Sequence, residues 1–421
     1  MLATNLDSCH TDTVAPETKT KILVLNAGSS SLKFSLFDAE AENVLAGGTI
    51  DWLRKPAELI FRRPNRPEVR QELKLDKHAD AVARILDNLR SGSSAALQNP
   101  EDLQAVGHRV VHGGDHYTSA VVITSKVKRT IDDLTELAPL HNAASLEGIN
   151  AVEQFLPGVP QVAAFDTAFH ATLSEAARTY ALPKKWTREW GIRRYGFHGL
   201  SHSYCSSEAA NRIGRRGLRL VIAHLGNGAS VSAVCDGVCV DTSMGFTPLE
   251  GLVMATRSGT VDPGILVYLL RQKGFSVDQL DNALNHESGL LGISGTSSDL
   301  RQLLSELPHN PEARLAVDVY VHRIVQTIGA MVATLGGIDA LVFTAGVGER
   351  AAGIRKSVCE KLKYLGLEIN LALNESCHPD ADIATAASTA RILVIASRED
   401  LAIMRETRGL IRLVISRRHG E

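Results

Sequence analysis

The sequence predicts an α/β protein built from two similar lobes that face each other across a central cleft. Three observations carry this. First, VLNAGSSSLKF (24–34) and AHLGNGASVSA (223–233) read as one device used twice, a turn of small residues joining two β-rich runs. Second, each is followed by apolar strands alternating with segments of helical period. Third, at 421 residues the chain exceeds what one ordinary core supports. The identity between the two stretches is weak, so the repeat is read as architecture. Clefts between lobes commonly hold ligands.

The elements follow in order. Residues 1–20, MLATNLDSCHTDTVAPETKT, lack an apolar signal core and read as a disordered tail. Residues 21–38 read as a β-hairpin, with extended chain to about 62. KHADAVARILDNLR places Ala81, Val82, Ile85, Leu86 and Leu89 at helical spacing. LQAVGHRVVHGG reads as a strand running into a glycine-rich loop, and QVAAFDTAFH as a buried strand ending in polar residues. LRLVIAHLGNGASVSAVCDGVCVDTSM (218–244) repeats strand, turn, strand, turn, strand. DVYVHRIVQTIGAMVATLGG is helical. DALVFTAGVGER reads as a strand into a glycine loop that opens a helix, and RILVIASREDLAIMRET as strand, loop and helix.

Composition narrows the function. A formal net charge of −2 argues against non-specific nucleic-acid binding. No apolar run reads as a membrane span. The six cysteines, Cys9, Cys205, Cys235, Cys239, Cys359 and Cys377, form no C-x-x-C pair. Cys235 and Cys239 flank a DGV turn and could face each other across a hairpin. The dispersion does not suit zinc, and reduced structural thiols in a cytoplasm are the better reading.

Several stretches carry chemistry. Asn26, Ser29 and Ser31 supply donors without bulk, and Gly28 lets the backbone turn, so N–H groups could converge on an anion. Taken alone, this is equally a solvent-exposed serine turn. Gly226 and Gly228 bracket Asn227 in the second copy. Gly346 and Gly348 precede a helix whose N-terminus would favour a phosphate. Arg109 and Arg257 sit in glycine-flanked polar loops and present planar forks suited to phosphate or carboxylate. Either could simply pair with a carboxylate. His198 lies between Gly196 and Gly199, which permit close approach; His141 equally suits a cap on the helix that follows it. Asp166 and Glu399 each follow an apolar strand and are the candidate carboxylates for Mg²⁺, although Glu399 also suits the first turn of the last helix.

LVLNAGSSSLKFSLFD, GHRVVHGG, FDTAFH, YGFHGLSH, HLGNGASV, TPLEGLVMATRSGTVDPG, GISGTSSDLR and FTAGVGER occur in this order, between about residues 21 and 408. Together they resemble the acetate/propionate kinase family, within the superfamily of sugar kinases, actin and heat-shock chaperone ATPases. The resemblance implies two actin-like ATPase (ribonuclease H-like) lobes. The first would be 21–168 plus 397–421, the second 169–396. It implies reversible transfer of the ATP γ-phosphoryl to acetate, giving acetyl phosphate and ADP, with Mg²⁺ or Mn²⁺. Propionate or another short-chain acid is the alternative acceptor, ahead of a sugar kinase or a non-catalytic nucleotide switch.

By position, Asn26, Ser29, Ser31 and Lys33 match the first phosphate loop, and His224, Gly226, Asn227 and Gly228 the second. Arg109 and Arg257 would bind the carboxylate and the phosphoryl, Asp166 would position the arginines or metal, and His198 would stabilise the transition state. Val111, Leu140, His141, Phe197 and Pro248 match the acid pocket. Asp299, Leu300 and Arg301, with Gly346, Val347, Gly348, Glu349 and Arg350, match the adenosine site. Asn26 and Glu399 match the metal-associated positions. A cytoplasmic homodimer, with no nucleic-acid or membrane partner, is implied. Thr260, Leu300, Arg350 and the SRED segment depart from the family pattern. A carboxylate is already a nucleophile at neutral pH, so direct in-line transfer needs no general base.

Overall fold

Runs of β-branched and aliphatic residues build two sheets, each buried on both faces at its centre. The computed structural model describes residues 20–28, 31–52, 55–75, 78–91 and 95–418. In the first sheet β1 (Lys21–Ala27), β2 (Ser31–Asp38), β3 (Asn43–Asp51), β4 (Ala57–Arg62) and β5 (Val69–Leu73) form an antiparallel meander. β6 (Leu103–Val110) adds parallel to β1, β8 (Gln161–Phe165) adds parallel to β6, and the short β7 (Val121–Val122) closes that edge. The extended chain thus continues to Leu73, beyond the limit expected from the sequence.

The second sheet repeats the plan. β9 (Arg219–Leu225), β10 (Ala229–Cys235) and β11 (Val238–Thr242) form a meander; β12 (Ala340–Thr344) adds parallel to β9 and β14 (Arg391–Val394) parallel to β12, with β13 (Ala381–Asp382) at the edge. The orders β3-β2-β1-β6-β8 and β11-β10-β9-β12-β14 are superimposable in sense and sequence. The doubled device seen in the sequence is therefore a doubled topology, with the first turn of each sheet joining equivalent strands.

Each sheet packs one face on its own helices. The helix His78–Arg90 buries Ala81, Val82, Ile85, Leu86 and Leu89, the predicted stripe, under the first sheet. A third core unites the sheets: Ile22 and Val24 of β1, Leu220 and Ile222 of β9, and Leu401, Ile403 and Met404 of the helix Glu399–Arg418 belong to one cluster. That last helix lies against β6, where a Cβ at Gly107 would come within 2.8 Å of Ile403 and 2.5 Å of Thr407. Its outer face ties to the β2–β3 turn through Arg405 and Arg408, which both donate to Glu42 at 2.6 Å.

Two expectations need correction. The register pairs Cys235 with Val238 and Cys239 with Val234, neighbouring pairs whose side chains point to opposite faces, so Cys235 is exposed and Cys239 buried, and the two do not face each other. The helix Pro311–Leu335 is long and apolar enough by composition to cross a membrane. Its apolarity is spent inside the protein, where Val317, Tyr320, Ile324, Ile328 and Met331 are buried in the second core. The tail lies outside the described residues, apart from Thr20.

Candidate active site

The site starts at the C-terminal ends of β6 and β8. Arg109, the next-to-last residue of β6, donates from Nε and Nη2 to the two carboxylate oxygens of Asp166, at 2.9 and 2.6 Å. Asp166 follows β8 directly and is 1% exposed. Nη1 of Arg109 donates to Asn26 Oδ1 at 3.2 Å, so β1 contributes the third contact. Burial works against charge on Arg109, yet Asp166 and then Glu399 raise its guanidinium above the ordinary value. Burial also pushes the Asp166 carboxyl up, against the pull of Arg109. The two-point geometry is that of a charge-assisted fork. It uses both Asp166 oxygens, which makes Asp166 an anchor for Arg109.

Glu399 opens the last helix on the same side. Burial alone would raise its carboxyl, but Arg109, His224 and Lys33 together hold it below the ordinary value. Asn26, Lys33, His224, Glu349 and Glu399 line a cleft of about 730 Å³. Gly47 and Gly48 of β3, Arg62 of β4 and the following Arg63 also line it. Among the described residues no cluster of three His, Cys, Asp or Glu side chains suits a metal ion. One carboxylate beside an amide is the donor set of a Mg²⁺ held mainly by phosphate oxygens and water, and Asn26 with Glu399 fit that pattern.

The third part is the loop Tyr195–Gly199. His198 has φ 59°, in the left-handed region that costs most residues energy. Gly199 then packs so closely that a Cβ would lie 2.1 Å from the Asp166 carbonyl, to which its N–H donates at 3.0 Å. His198 is fixed by this contact beside the Arg109 anchor. Its ring stacks on His224, centroids 4.2 Å apart. Burial first, then His224, Arg109, His202 and Arg257, keep His198 well below its ordinary value, so the imidazole is neutral.

Arg257 reaches the same place from the second sheet's side. A Cβ at Gly228 would lie 3.3 Å from His198 Nε2 and 3.7 Å from Arg257 Nη1, which brackets both groups around one turn. Arg257 donates to the Pro248 carbonyl at 3.3 Å, and no described carboxylate pairs with it. Burial lowers its guanidinium below the ordinary value. His141 is brought down to about 4 by burial, then by Arg109 and Arg257, so both guanidinium groups act on it. It lies inside the first turn of the helix Pro139–Phe155, whose N-cap is Ala138; the capping role is excluded. Val111 and Phe197 are buried in one cluster.

The other sequence candidates divide. The Gly226–Gly228 turn closes on a 3.0 Å backbone bond, and the Asn227 carbonyl accepts from Ala255 N–H at 3.1 Å, near Arg257. Gly346 and Gly348 do not form a loop ahead of a helix: they lie inside the helix Ala345–Arg350, which starts immediately after β12. Gly346, Glu349 and Arg350 line the cleft, and Glu349 also accepts from Ser397 N–H at 2.8 Å. Val347 is half-buried against the second core. Asp299 caps the helix Leu300–Glu306 and pairs with the exposed Arg301, while Leu300 is buried in the second core; none of the three lines that cleft. Ser31 begins β2, and its carbonyl accepts from Gly28 N–H at 2.8 Å. Ser29 and the Leu140 side chain lie outside the described residues. Sequence reasoning passed over Ser230 and His202, which hold the His198 ring through hydrogen bonds of 2.9 and 2.7 Å on Ser230 Oγ. The alternation of small polar residues along β10 was the available signal.

Residues 21–405 match the Acetokinase family. Among curated proteins, the chain is 48% identical over 404 residues to "Acetate kinase" of Nostoc sp., covering 93% of this chain and 100% of that one. It is 49% identical over 390 residues to "Acetate kinase" of Acaryochloris marina, covering 91% and 98%. Among solved structures it resembles Porphyromonas gingivalis acetate kinase, with a TM-score of 0.88 at 39% identity over 93% of this chain and 100% of that chain. A propionate kinase from Francisella tularensis gives a TM-score of 0.86 at 39% identity, covering 92% and 98%.

Proposed function

Since the chain belongs to the acetokinase family, enzymes that phosphorylate a carboxyl group, we propose that this site transfers the γ-phosphoryl of ATP to acetate by direct in-line attack, reversibly. The observation that carries the reading is that Arg257 and neutral His198 meet at the Gly228 turn while Arg109 acts on both His198 and His141, with no described carboxylate opposing Arg257. A half-buried fork without a counter-charge suits an anion.

In the forward direction an acetate oxygen attacks the γ-phosphorus, the new O–P bond forms, and the bond to the β–γ bridging oxygen breaks. The electron pair leaves with ADP. No proton moves, because the nucleophile is already an anion and the leaving group departs as one. Catalysis is then positioning and charge neutralisation. Arg257 and Arg109 hold the carboxylate and the equatorial phosphoryl oxygens, and His198 donates a hydrogen bond to the phosphoryl. Val111, Phe197 and Pro248 give the methyl group an apolar wall. Asn26, Lys33 and the Gly226–Gly228 turn face the polyphosphate, and Gly346 to Arg350 face the nucleoside. Asn26 and Glu399 would hold Mg²⁺, which supplies charge neutralisation on the β- and γ-phosphates when bound. A sugar kinase would need a free carboxylate base; Asp166 is engaged by Arg109 on both oxygens, which favours the acid acceptor.

We assign 21–168 plus 397–421 to the first lobe and 169–396 to the second: the strands of the first sheet fall in 21–168, those of the second in 169–396, and the helix Glu399–Arg418 packs against β1 and β6. A homodimer is supported by the helix Pro263–Gln272, PGILVYLLRQ, which buries no residue although Ile265, Val267, Tyr268 and Leu270 are apolar. The unpaired thiols of Cys205, Cys235, Cys239, Cys359 and Cys377 support a reducing cytoplasm.

The test is one assay. Purified protein with Mg-ATP, acetate and hydroxylamine forms acetohydroxamate, and acetate outpaces propionate and butyrate. ATP turnover that is independent of any added carboxylate refutes the reading.

A further inference from the structure

Behind His198 runs a buried chain of side chains. Ser230 Oγ lies 2.9 Å from His198 Nδ1 and 2.7 Å from His202 Nε2, and Ser232 Oγ lies 2.8 Å from His202 Nδ1. Ser230, Ser232 and His202 are fully buried. Ser230 and Ser232 are alternate residues of β10 and so point to the same face of the sheet. His202 lies one helical turn after His198, in the helix Gly199–Ile213, which brings the two rings to that face. The alternation of serine along the strand and histidine at i, i+4 on the helix makes the chain.

Each hydroxyl has one proton to donate, and each neutral imidazole has one donor and one acceptor nitrogen. Two directions satisfy the middle of the chain. In one, Ser232 donates to His202 Nδ1, His202 Nε2–H donates to Ser230, and Ser230 donates to His198 Nδ1. In the other all three bonds reverse. The reversed chain has Ser232 accept from His202, and its own hydroxyl proton then finds no acceptor among the described residues. A buried donor left without an acceptor is costly. The first direction leaves only lone pairs over, which is cheaper. Both rings are neutral, since burial holds each well below its ordinary value, so neither can donate at both nitrogens.

We propose that Ser232, His202 and Ser230 form a one-way hydrogen-bond relay that fixes His198 as the Nε2–H tautomer, and that these three are positioning residues for the reaction. The inference rests on the reading of His198 as a phosphoryl donor given above. His198 Nε2 has no hydrogen bond to a described residue and faces the Gly228 turn beside Arg257. With Nδ1 occupied by the Ser230 proton, Nε2 must carry the hydrogen. The ring then presents a donor to the transferring phosphoryl. The opposite tautomer would present a lone pair and repel it. The stack on His224, whose Nδ1 is bonded to Ser201 Oγ at 2.8 Å, holds the plane of the ring.

The experiment is nitrogen NMR on the full chain labelled with ¹⁵N-histidine, with signals assigned through His198→Gln and His202→Gln. Between pH 6 and 8 both rings are expected to show a protonated Nε2 and a bare Nδ1. A dominant Nδ1–H form at either ring overturns the relay. Kinetically, Ser230→Ala is expected to lower kcat about 10²-fold, at the low end of the range for loss of one transition-state donor. KM for ATP and acetate should stay within about twofold, and Ser230→Thr should restore kcat. A folded Ser230→Ala enzyme with unchanged kcat overturns the proposal; should that variant not fold, the wild-type tautomers still decide it. Nε2–H rings in a protein that makes no acetohydroxamate would refute the proposed function while leaving the tautomer assignment intact. Acetohydroxamate formation with an Nδ1–H ring would do the reverse.

Discussion

Asp166→Asn separates the role of the anchor from that of the fork it holds. The substitution keeps shape and one carbonyl-type oxygen but removes the negative charge. Of the two bonds from Arg109, at 2.9 and 2.6 Å, one survives, and the Asn26 contact remains. Breaking one partner of a buried pair costs about 3–5 kcal/mol. Glu399 still acts on Arg109, and the Arg109 side chain is 21% exposed, so a cost just below that range, about 2–3 kcal/mol, is expected here. If the same loosening is felt in the transition state, kcat/KM falls about 30- to 150-fold. The acetohydroxamate assay measures the rate, and urea unfolding measures the stability of the same preparation. A folded Asp166→Asn enzyme with kcat/KM within about threefold of wild type would refute the anchoring argument.

Other outcomes follow from single groups. Arg257→Ala should lower kcat at least about 10³-fold, in the range for an arginine that neutralises a transferring phosphoryl. Its stability should hold or rise in a thermal melt, since a half-buried cation without a described carboxylate partner is removed; a cooperative loss of structure would contradict this. Glu406 lies near Asp166, and burial, then Asp166, push its carboxyl from 4.5 to about 7. Folding therefore favours its protonated form, and this contribution is complete below about pH 4.5 and lost as pH rises through 7. Glu406→Gln, which mimics the protonated group, should stabilise the protein at pH 8 by up to about 3 kcal/mol and change little at pH 4.5. Equal effects at both pH values would refute it. Ile265→Glu, on the uncovered helix, should shift the protein to a monomer in sedimentation, and an unchanged dimer would move the interface elsewhere.

Much of this architecture was written locally. The stripe of residues 81–89, the two small-residue turns and the strands before Asp166 and Glu399 follow from spacing and from runs of buried types. What the residues alone did not reveal is contact between distant segments. Arg109 and Asp166 stand 57 positions apart, and only the parallel pairing of β6 with β8 brings their ends together. Their pairing was one open alternative, and the fold chose it for Arg109 and not for Arg257. Register decides the thiols: the two-residue turn Asp236–Gly237 pairs Cys235 with Val238 and Cys239 with Val234, which puts Cys235 and Cys239 on opposite faces. The helix Ala345–Arg350 begins earlier than its glycines suggested, because Ala345 itself takes the left-handed turn at φ 63°. Ser230 and Ser232 gave no signal as single residues, since their meaning depends on the histidines one helix away.

The central claim is that two guanidinium groups from different parts of the chain grip one reacting centre. A crystal structure with ADP, Mg²⁺ and acetyl phosphate tests it most directly. Arg109 and Arg257 are both expected within about 3.2 Å of oxygens of the acyl phosphate, with His198 Nε2 on the same phosphoryl. A complex in which Arg257 contacts the ligand and Arg109 stays turned wholly toward Asp166, away from it, would contradict the account.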